Sequence, residues 1–257
     1  MRTICFANNH VGLKIVDGLR NASEDLAALV VHPAERSRFG YEIRRASGLP
    51  DDRIFDASTL SEPKTMDRIR ELSPEIGVSA FFGYIFKPEF ISIFPKGIVN
   101  IHPALLPYNR GANPNIWSIV DGTPAGVTLH YVDSGVDTGG IIAQREIPVE
   151  PIDTGESLYR KLETASVALF QENWPALKSG KTKTTVQTRE TGSFHKAADV
   201  EKIDRIDLDK SYRARDLLDL IRARTFTGYT GAYFESSGRR VYLKMQLEYG
   251  PDERDKK

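Results

Sequence analysis

The sequence predicts an α/β fold, with a mostly parallel open sheet followed by a small C-terminal appendage of helix and β-hairpin. Three observations point there. Short apolar runs recur between residues 3 and 149, with helix-period patterns between several of them. A long amphipathic stretch covers residues 153–178. Beyond residue 180 the chain turns polar, then resumes with one short helical pattern and two strand patterns around a turn.

Taken in order, TICFA at residues 3–7 reads as a short buried strand, and residues 11–20 place apolar groups at helical spacing. Residues 27–31 form the next apolar run, 65–72 suggest a helix, 76–82 a third buried strand and 97–101 a fourth. Residues 126–132 and 141–149 read as two more strands, joined by a Gly-rich loop short enough for an antiparallel pair. In the helix over 153–178, Asp153 and Glu156 fit a capping box, Leu158, Leu162, Ala165 and Leu169 make the apolar stripe, and Gly180 is the stop. Residues 179–194 are Thr-rich and poor in large apolar groups, which suits a linker or exposed excursion. A helix over 211–223 and strands over 231–235 and 239–247 follow, the last two flanking the turn signal SSG. The charged end, residues 251–257, is expected to fray. The division is therefore residues 1–180 as one domain and 181–257 as linker, helix and hairpin.

Composition narrows the function classes. A chain of 257 residues with 40% hydrophobic side chains can bury a substantial core. Lys plus Arg equals Asp plus Glu, 35 against 35, so the basic surplus of a general nucleic-acid binder is missing. The lone Cys5 excludes an internal disulfide framework and any multi-cysteine metal site. The start, MRTICFANN, lacks the apolar core of a signal peptide, and no window reaches the ~18 apolar residues of a membrane span. The expectation is a cytoplasmic protein, in which the sequon at Asn21 has no consequence.

Three stretches carry candidate chemistry. In GIVNIHPALLPYNRGANPN, residues 97–115, Asn100 and His102 stand two apart at the end of a strand, so both side chains project to one side. Pro103 biases His102 toward extended backbone. An amide can donate to a developing oxyanion, and an imidazole can polarise a carbonyl or pass a proton near neutral pH. In HYVDSGVDTGG, residues 130–140, three glycines and two aspartates form a loop whose glycines would supply positive φ and close approach to a ligand. One of its aspartates beside His102 would orient the ring and raise its pKa. In FFGYIF, residues 81–86, apolar walls and exposed backbone suit a flat heteroaromatic ligand. His10, His32, His130 and His195 are scattered and read as structural or surface residues, and no metal-ligand cluster stands out.

Over residues 1–180 the pair NIHPALLPYNRGANPNIW and GVTLHYVDSGVDTGGIIAQ resembles the formyltransferase family that uses N10-formyltetrahydrofolate, most closely the bacterial sugar-nucleotide N-formyltransferases. The resemblance implies a Rossmann-like formyltransferase fold and a catalytic set of Asn100, His102 and Asp137. It implies a folate pocket lined by Phe82, Gly83, Tyr84 and Ile85, with Asp133 and Val136 on the opposite wall. The implied reaction moves a formyl group from the folate cosubstrate to a primary amine, with no metal.

The tail bears on which amine. Methionyl-tRNA formyltransferases carry a longer C-terminal domain, and this tail lacks the basic surplus that phosphate contacts demand. The tail instead resembles those of enzymes acting on nucleotide-linked 3-amino or 4-amino deoxysugars of surface-glycan (O-antigen) synthesis, with dTDP or GDP as carrier. Arg110 and Asn113, with Asn8, Asn9 and His10 after the first strand, are the acceptor-binding candidates, and Trp117 is read as core in preference to a base-stacking surface. A formyltetrahydrofolate hydrolase would use the same triad, but such enzymes carry an extra N-terminal domain, and this chain opens on its first strand. The amphipathic hairpin suggests a homodimer; nucleic acid and membrane are not expected partners.

Overall fold

The computed structural model describes residues 1–188 and 192–251. The expected fraying of the charged tail lies, from residue 252 on, outside the described residues. A seven-stranded sheet has the order β3-β2-β1-β4-β5-β7-β8, built from β1 (Thr3–Ala7), β2 (Leu26–Val31), β3 (Ile54–Asp56), β4 (Ile76–Ala80), β5 (Ile98–His102), β7 (Gly126–Tyr131) and β8 (Ile141–Glu146). The first five of these run parallel; β7 is antiparallel to both β5 and β8, as the short loop before β8 suggested.

Every residue of β1, β2 and β4 is buried, because helices cover both faces of the central sheet. On one face, α1 (Asn9–Asn21) and α6 (Gly155–Lys178) bury Val11, Ile15, Val16 and Leu19 against Leu158, Leu162, Leu169 and Phe170. On the other, Phe6 meets Phe82, Phe86, Phe90 and Phe94 edge-on, with centroids 4.8–5.9 Å apart, beside Ile69 of α3 (Pro63–Glu71). Each such edge-to-face pair adds about 0.5–1.5 kcal/mol beyond burial. The short helix α4 (Pro88–Ile91) carries Phe90 into this cluster.

Several elements differ from expectation. The helix α2 (Gly40–Ser47) was not anticipated, since it buries only Ile43 and Ser47 and so lacks a stripe. The helix α5 (Pro114–Val120) was also unforeseen: Pro114 through Ile119 are all buried, which erases the periodicity, though Pro stands at its first turn as usual. The α6 cap is shifted by one residue. Thr154 is the N-cap and forms the box with Ser157, whereas Asp153 is bound to Lys161 Nζ and Ser157 Oγ (both 2.7 Å), and Glu156 reaches away to Thr227. These side chains find stronger charged or tertiary partners than the free helix N–H groups.

The polar stretch after α6 is more than a linker. Thr185 exchanges two 2.8 Å backbone hydrogen bonds with Ile141, and β9 (Phe194–His195) pairs in parallel with β6 (Arg110–Gly111). After α7 (Asp199–Ile203), α8 (Ala214–Ala223) docks on the start of α6, where Arg222 donates to the carbonyls of Glu150 and Asp153. The hairpin strands β10 (Tyr233–Ser236) and β11 (Arg239–Tyr242) are shorter than the sequence pattern suggested. They are joined by Ser237 and Gly238, both at positive φ, as a two-residue hairpin turn requires. All four residues of β11 are exposed. Among the described residues no helix is long and apolar enough to cross a membrane.

Candidate active site

Strand order reverses around β1, with β2 and β3 to one side and β4 and β5 to the other, and ligands in such sheets bind past the carboxyl ends at that point. A cleft of about 690 Å³ lies there and extends over β5. Asn9 after β1, residues 81–86 after β4, and Asn100, His102 and Pro103 on and after β5 all line it.

The polar centre is built by register. Asn100 and His102 share a face of β5, and antiparallel pairing sets His130 of β7 directly opposite Asn100. His130 Nδ1 lies 2.8 Å from the Tyr131 carbonyl, which can only accept, so that nitrogen carries a proton. Its Nε2 lies 3.2 Å from Asn100 Nδ2 and 3.5 Å from Asp137 Oδ1, so Asn100, His130 and Asp137 meet at one point. By the same logic His102 Nε2 donates to the Asn109 carbonyl at 3.0 Å, while Nδ1 faces Asp137 Oδ2 at 3.6 Å. A second proton on this ring would point at the carboxylate.

Asp137 sits at the centre, with Oδ1 3.5 Å from both Asn100 Nδ2 and His130 Nε2. The Gly111 N–H donates to its Oδ2 at 2.9 Å. Burial alone would raise this carboxyl's pKa; the facing His102 ring, the His130 ring and the Gly111 N–H outweigh it and hold Asp137 well below the usual carboxylate range. Asp137 is therefore ionised at neutral pH. Its backbone has φ 54°, and none of the loop glycines 135, 139 and 140 has a positive φ, contrary to the role expected of them. Gly139 serves close approach instead, since a Cβ there would fall 1.9 Å from the Tyr131 carbonyl oxygen.

The apolar wall comes from the segment after β4. Gly83 (φ 72°) faces open space, so any side chain there would intrude on the cleft. Tyr84 is half-buried and Ile85 is 76% exposed. Phe82 touches the cleft but spends its ring on the aromatic core. Across from them Asp133 and Val136 line the cleft, with the Asp133 carboxylate closing its own turn by accepting from Gly135 N–H and the Thr138 hydroxyl.

The acceptor-side candidates divide. Asn9 and Asn113 line the cleft; Asn8, His10 and Arg110 do not. Asn8 is buried as a brace whose Oδ1 accepts from Arg38 N–H at 2.8 Å. His10 lies in the first turn of α1, edge-on to Phe39. Arg110 precedes Gly111 on a two-residue strand, and its Nε is buried with no hydrogen-bond partner among the described residues. Trp117 is 5% exposed, which places it in the core.

Three participants are not visible in the sequence pattern. His130 is part of the polar centre, which only strand register reveals. Asn109, fully buried at φ 55°, holds Ser118, Thr123 and Ser193 through its side chain while its carbonyl receives His102. His195 stacks on Trp117 at 4.0 Å and 7° and lines the cleft together with Phe194, Lys196 and Ala197. No signal in a Thr-rich segment marks that return.

Comparison with known proteins agrees with this architecture. Residues 1–173 match the family described as Formyl transferase, and residues 199–249 match the N-formyltransferase dimerization C-terminal domain. A 4-N formyltransferase from Francisella tularensis is 25% identical with TM-score 0.82, over 96% of this chain and 98% of that one. A formyltransferase from Anoxybacillus kamchatkensis, solved with UDP-4,6-dideoxy-4-formamido-L-AltNAc and tetrahydrofolate, is 27% identical with TM-score 0.59, over 79% and 89%. An N-formyltransferase from Helicobacter canadensis, complexed with folinic acid and dTDP-3-aminofucose, shares the fold at 22% identity, over 94% and 86%, TM-score 0.72. With the motif pair, the sheet order and the match over residues 1–173 all in hand, the chain belongs to the Formyl transferase family.

Proposed function

We propose that this protein transfers the formyl group of N10-formyltetrahydrofolate to the primary amine of a nucleotide-linked amino deoxysugar, in the cytoplasm, as a step toward a surface glycan such as O-antigen. The observation that carries the reading is the gathering of Asn100, His102 and Asp137 between an apolar wall at residues 82–85 and a wall containing Asn9, Asn113 and Asn115. The open face at Gly83 fits the flat ring of a folate, with Tyr84 and Ile85 beside it and Val136 opposite.

The folate supplies an activated formyl carbon. A C–N bond forms to the acceptor amine, the C–N bond to N10 breaks, and one proton leaves the amine while N10 gains one. Asn100 Nδ2 is the donor placed to meet the negative charge on the formyl oxygen, with the Nδ1–H of a doubly protonated His102 shared between that oxygen and Asp137, a kind of contact worth roughly 10²–10³ in rate. Asp137 holds the His102 ring and serves as the local proton acceptor. Asn109 keeps the opposite ring nitrogen committed as a donor.

The relative at 25% identity is described as a 4-N formyltransferase and the one at 27% was solved with a 4-formamido sugar nucleotide, which favours a 4-amino sugar here. We read residues 1–180 as the catalytic part and 181–257 as an appendage that pairs two chains. The fully exposed β11 and the match to a dimerization domain support that pairing.

The test is turnover. Purified protein, N10-formyltetrahydrofolate and a panel of dTDP-, UDP- and GDP-linked 3-amino and 4-amino sugars are scored for a mass gain of one CO unit. One sugar should gain it, and His102→Asn should slow that reaction by roughly 10²–10⁴. Formate release in the absence of any sugar, with no mass gain, would replace this reading with the hydrolase.

A further inference from the structure

We infer that Phe194 and Lys196, on the strap that returns after α6, form the nucleotide platform of the acceptor site: Lys196 pairs with the diphosphate and Phe194 stacks on the base. The inference rests on the nucleotide-linked acceptor proposed above. It concerns residues 174–198, which lie between the two matched family ranges.

A nucleoside diphosphate needs cationic or N–H donors, and among the described residues lining the cleft Lys196 is the one Lys or Arg. Arg110, the alternative suggested by its place just past the catalytic strand, does not line the cleft. Lys196 is exposed and has no ion-pair partner among the described residues, while its neighbour Asp199 is held by Lys202 at 2.7 Å. Residues 111–115 and 194–197 bring no carboxylate of their own to the cleft, and the acid nearest them, Asp137, already has its Oδ2 bound by Gly111 N–H at 2.9 Å. The two acids of the cleft, Asp133 and Asp137, are on the loop after β7.

Phe194 lies on β9 and Lys196 follows two residues later, just before a turn; both are exposed and line the cleft, whereas His195 between them, also at the cleft, is stacked on Trp117. That stack, and the pairing of β9 with β6, fix which way the strap faces. Phe194 is 49% exposed at the cleft edge, an aromatic face with no ring stacked on it among the described residues. A nucleobase would cover it.

The test reads binding apart from turnover. The Kd of the intact protein for dTDP, UDP and GDP is measured by calorimetry, with Lys196→Gln, Lys196→Arg, Phe194→Ala and, as control, Lys64→Gln on the exposed side of α3. Wild type should bind one diphosphate. Lys196→Gln should weaken it by roughly tenfold or more, the cost of one charge-assisted phosphate contact. Lys196→Arg should recover most of that loss, and added salt should weaken wild type more than Lys196→Gln. Phe194→Ala should weaken the nucleotide while leaving affinity for inorganic pyrophosphate unchanged. If wild type binds a diphosphate and Lys196→Gln binds it equally well, the platform is wrong and the nucleotide-sugar reading stands. If wild type binds none of the three, the platform and the nucleotide-linked acceptor fall together, and formyl transfer to a simpler amine remains open to the CO-gain assay.

Discussion

Replacing Asp137 by Asn tests both the electrostatics and the chemistry of the polar centre. The substitution keeps shape and removes charge. The carboxylate holds one short bond, from Gly111 N–H at 2.9 Å, and three longer approaches at 3.5–3.6 Å from Asn100, His130 and His102. Hydrogen bonds to a charged group contribute ~1.5–3 kcal/mol and neutral ones ~0.5–1.5. Turning the one short bond neutral, and the longer approaches weaker, should cost about 1–3 kcal/mol of folding stability. The pH dependence has a definite sign. Asp137's pKa is lowered in the folded state, so its stabilisation is present above the unfolded value of about 3.9 and is lost as pH falls through the folded value. Urea unfolding should therefore give the same gap between wild type and Asp137→Asn at pH 7 and pH 5, narrowing only below about pH 4. Turnover should fall by roughly 10²–10⁴ at pH 7 while folate affinity stays within about threefold. A gap that widens between pH 7 and pH 5 would show a carboxyl whose folded pKa is raised toward neutrality and not lowered, and turnover within tenfold of wild type would remove Asp137 from the reaction.

Three other expectations follow from the same structure. Gly111→Ala places a Cβ 2.3 Å from the His195 carbonyl oxygen at φ 89°, so it should destabilise by about 2–4 kcal/mol in urea and loosen nucleotide binding through the parted β6–β9 pair. Asn109→Ala strands the hydroxyls of Ser118, Thr123 and Ser193 at a left-handed position; calorimetric melting should show a loss of about 2–4 kcal/mol, and an unchanged melting point would count against the buried network. Val241→Arg with Tyr242→Glu, both on the exposed β11, should convert a two-chain assembly to one chain in sedimentation without altering the far-ultraviolet spectrum; a dimer that survives them would move the interface elsewhere.

What was legible in the sequence follows burial. Strands β1, β2 and β4 are covered on both faces, so they stand out as unbroken apolar runs. The α6 stripe was legible because that helix is buried on one side, and its cap was misplaced because Asp153 had a lysine to pair with. The helix α5 vanished from the pattern because every face of it is covered. Asn100 and His102 could be read together from local spacing alone. His130 could not, since it meets Asn100 only through β5–β7 register, and a one-residue slip would have sent it to the opposite face. Arg110 misled for the same reason in reverse: its charge suggested a phosphate contact, but alternation on β6 gives the cleft to Gly111.

The junction between parallel and antiparallel pairing explains why this centre assembles at β5. A parallel neighbour on that side would have ended at the same level as His102. Antiparallel β7 instead ends beside Val99, at the far end of β5, where Val132 N–H bonds the Ile98 carbonyl. The following loop must travel back over about three residues of strand, roughly 10 Å, before Asp137 reaches His102 and Asn100. It thereby roofs the floor that it completes, and the left-handed turn at Asp137 aims the carboxylate downward from that roof. The roof is held from two sides. Gln187 on the strap donates to the carbonyls of Asp137 and Gly139 at 2.9 and 2.8 Å, and Gly111 N–H of β6 binds the carboxylate itself. Because β6 is paired with β9, the same strap that presents Phe194 and Lys196 also braces Asp137, so residues outside both matched family ranges bear on the centre as well as on the acceptor.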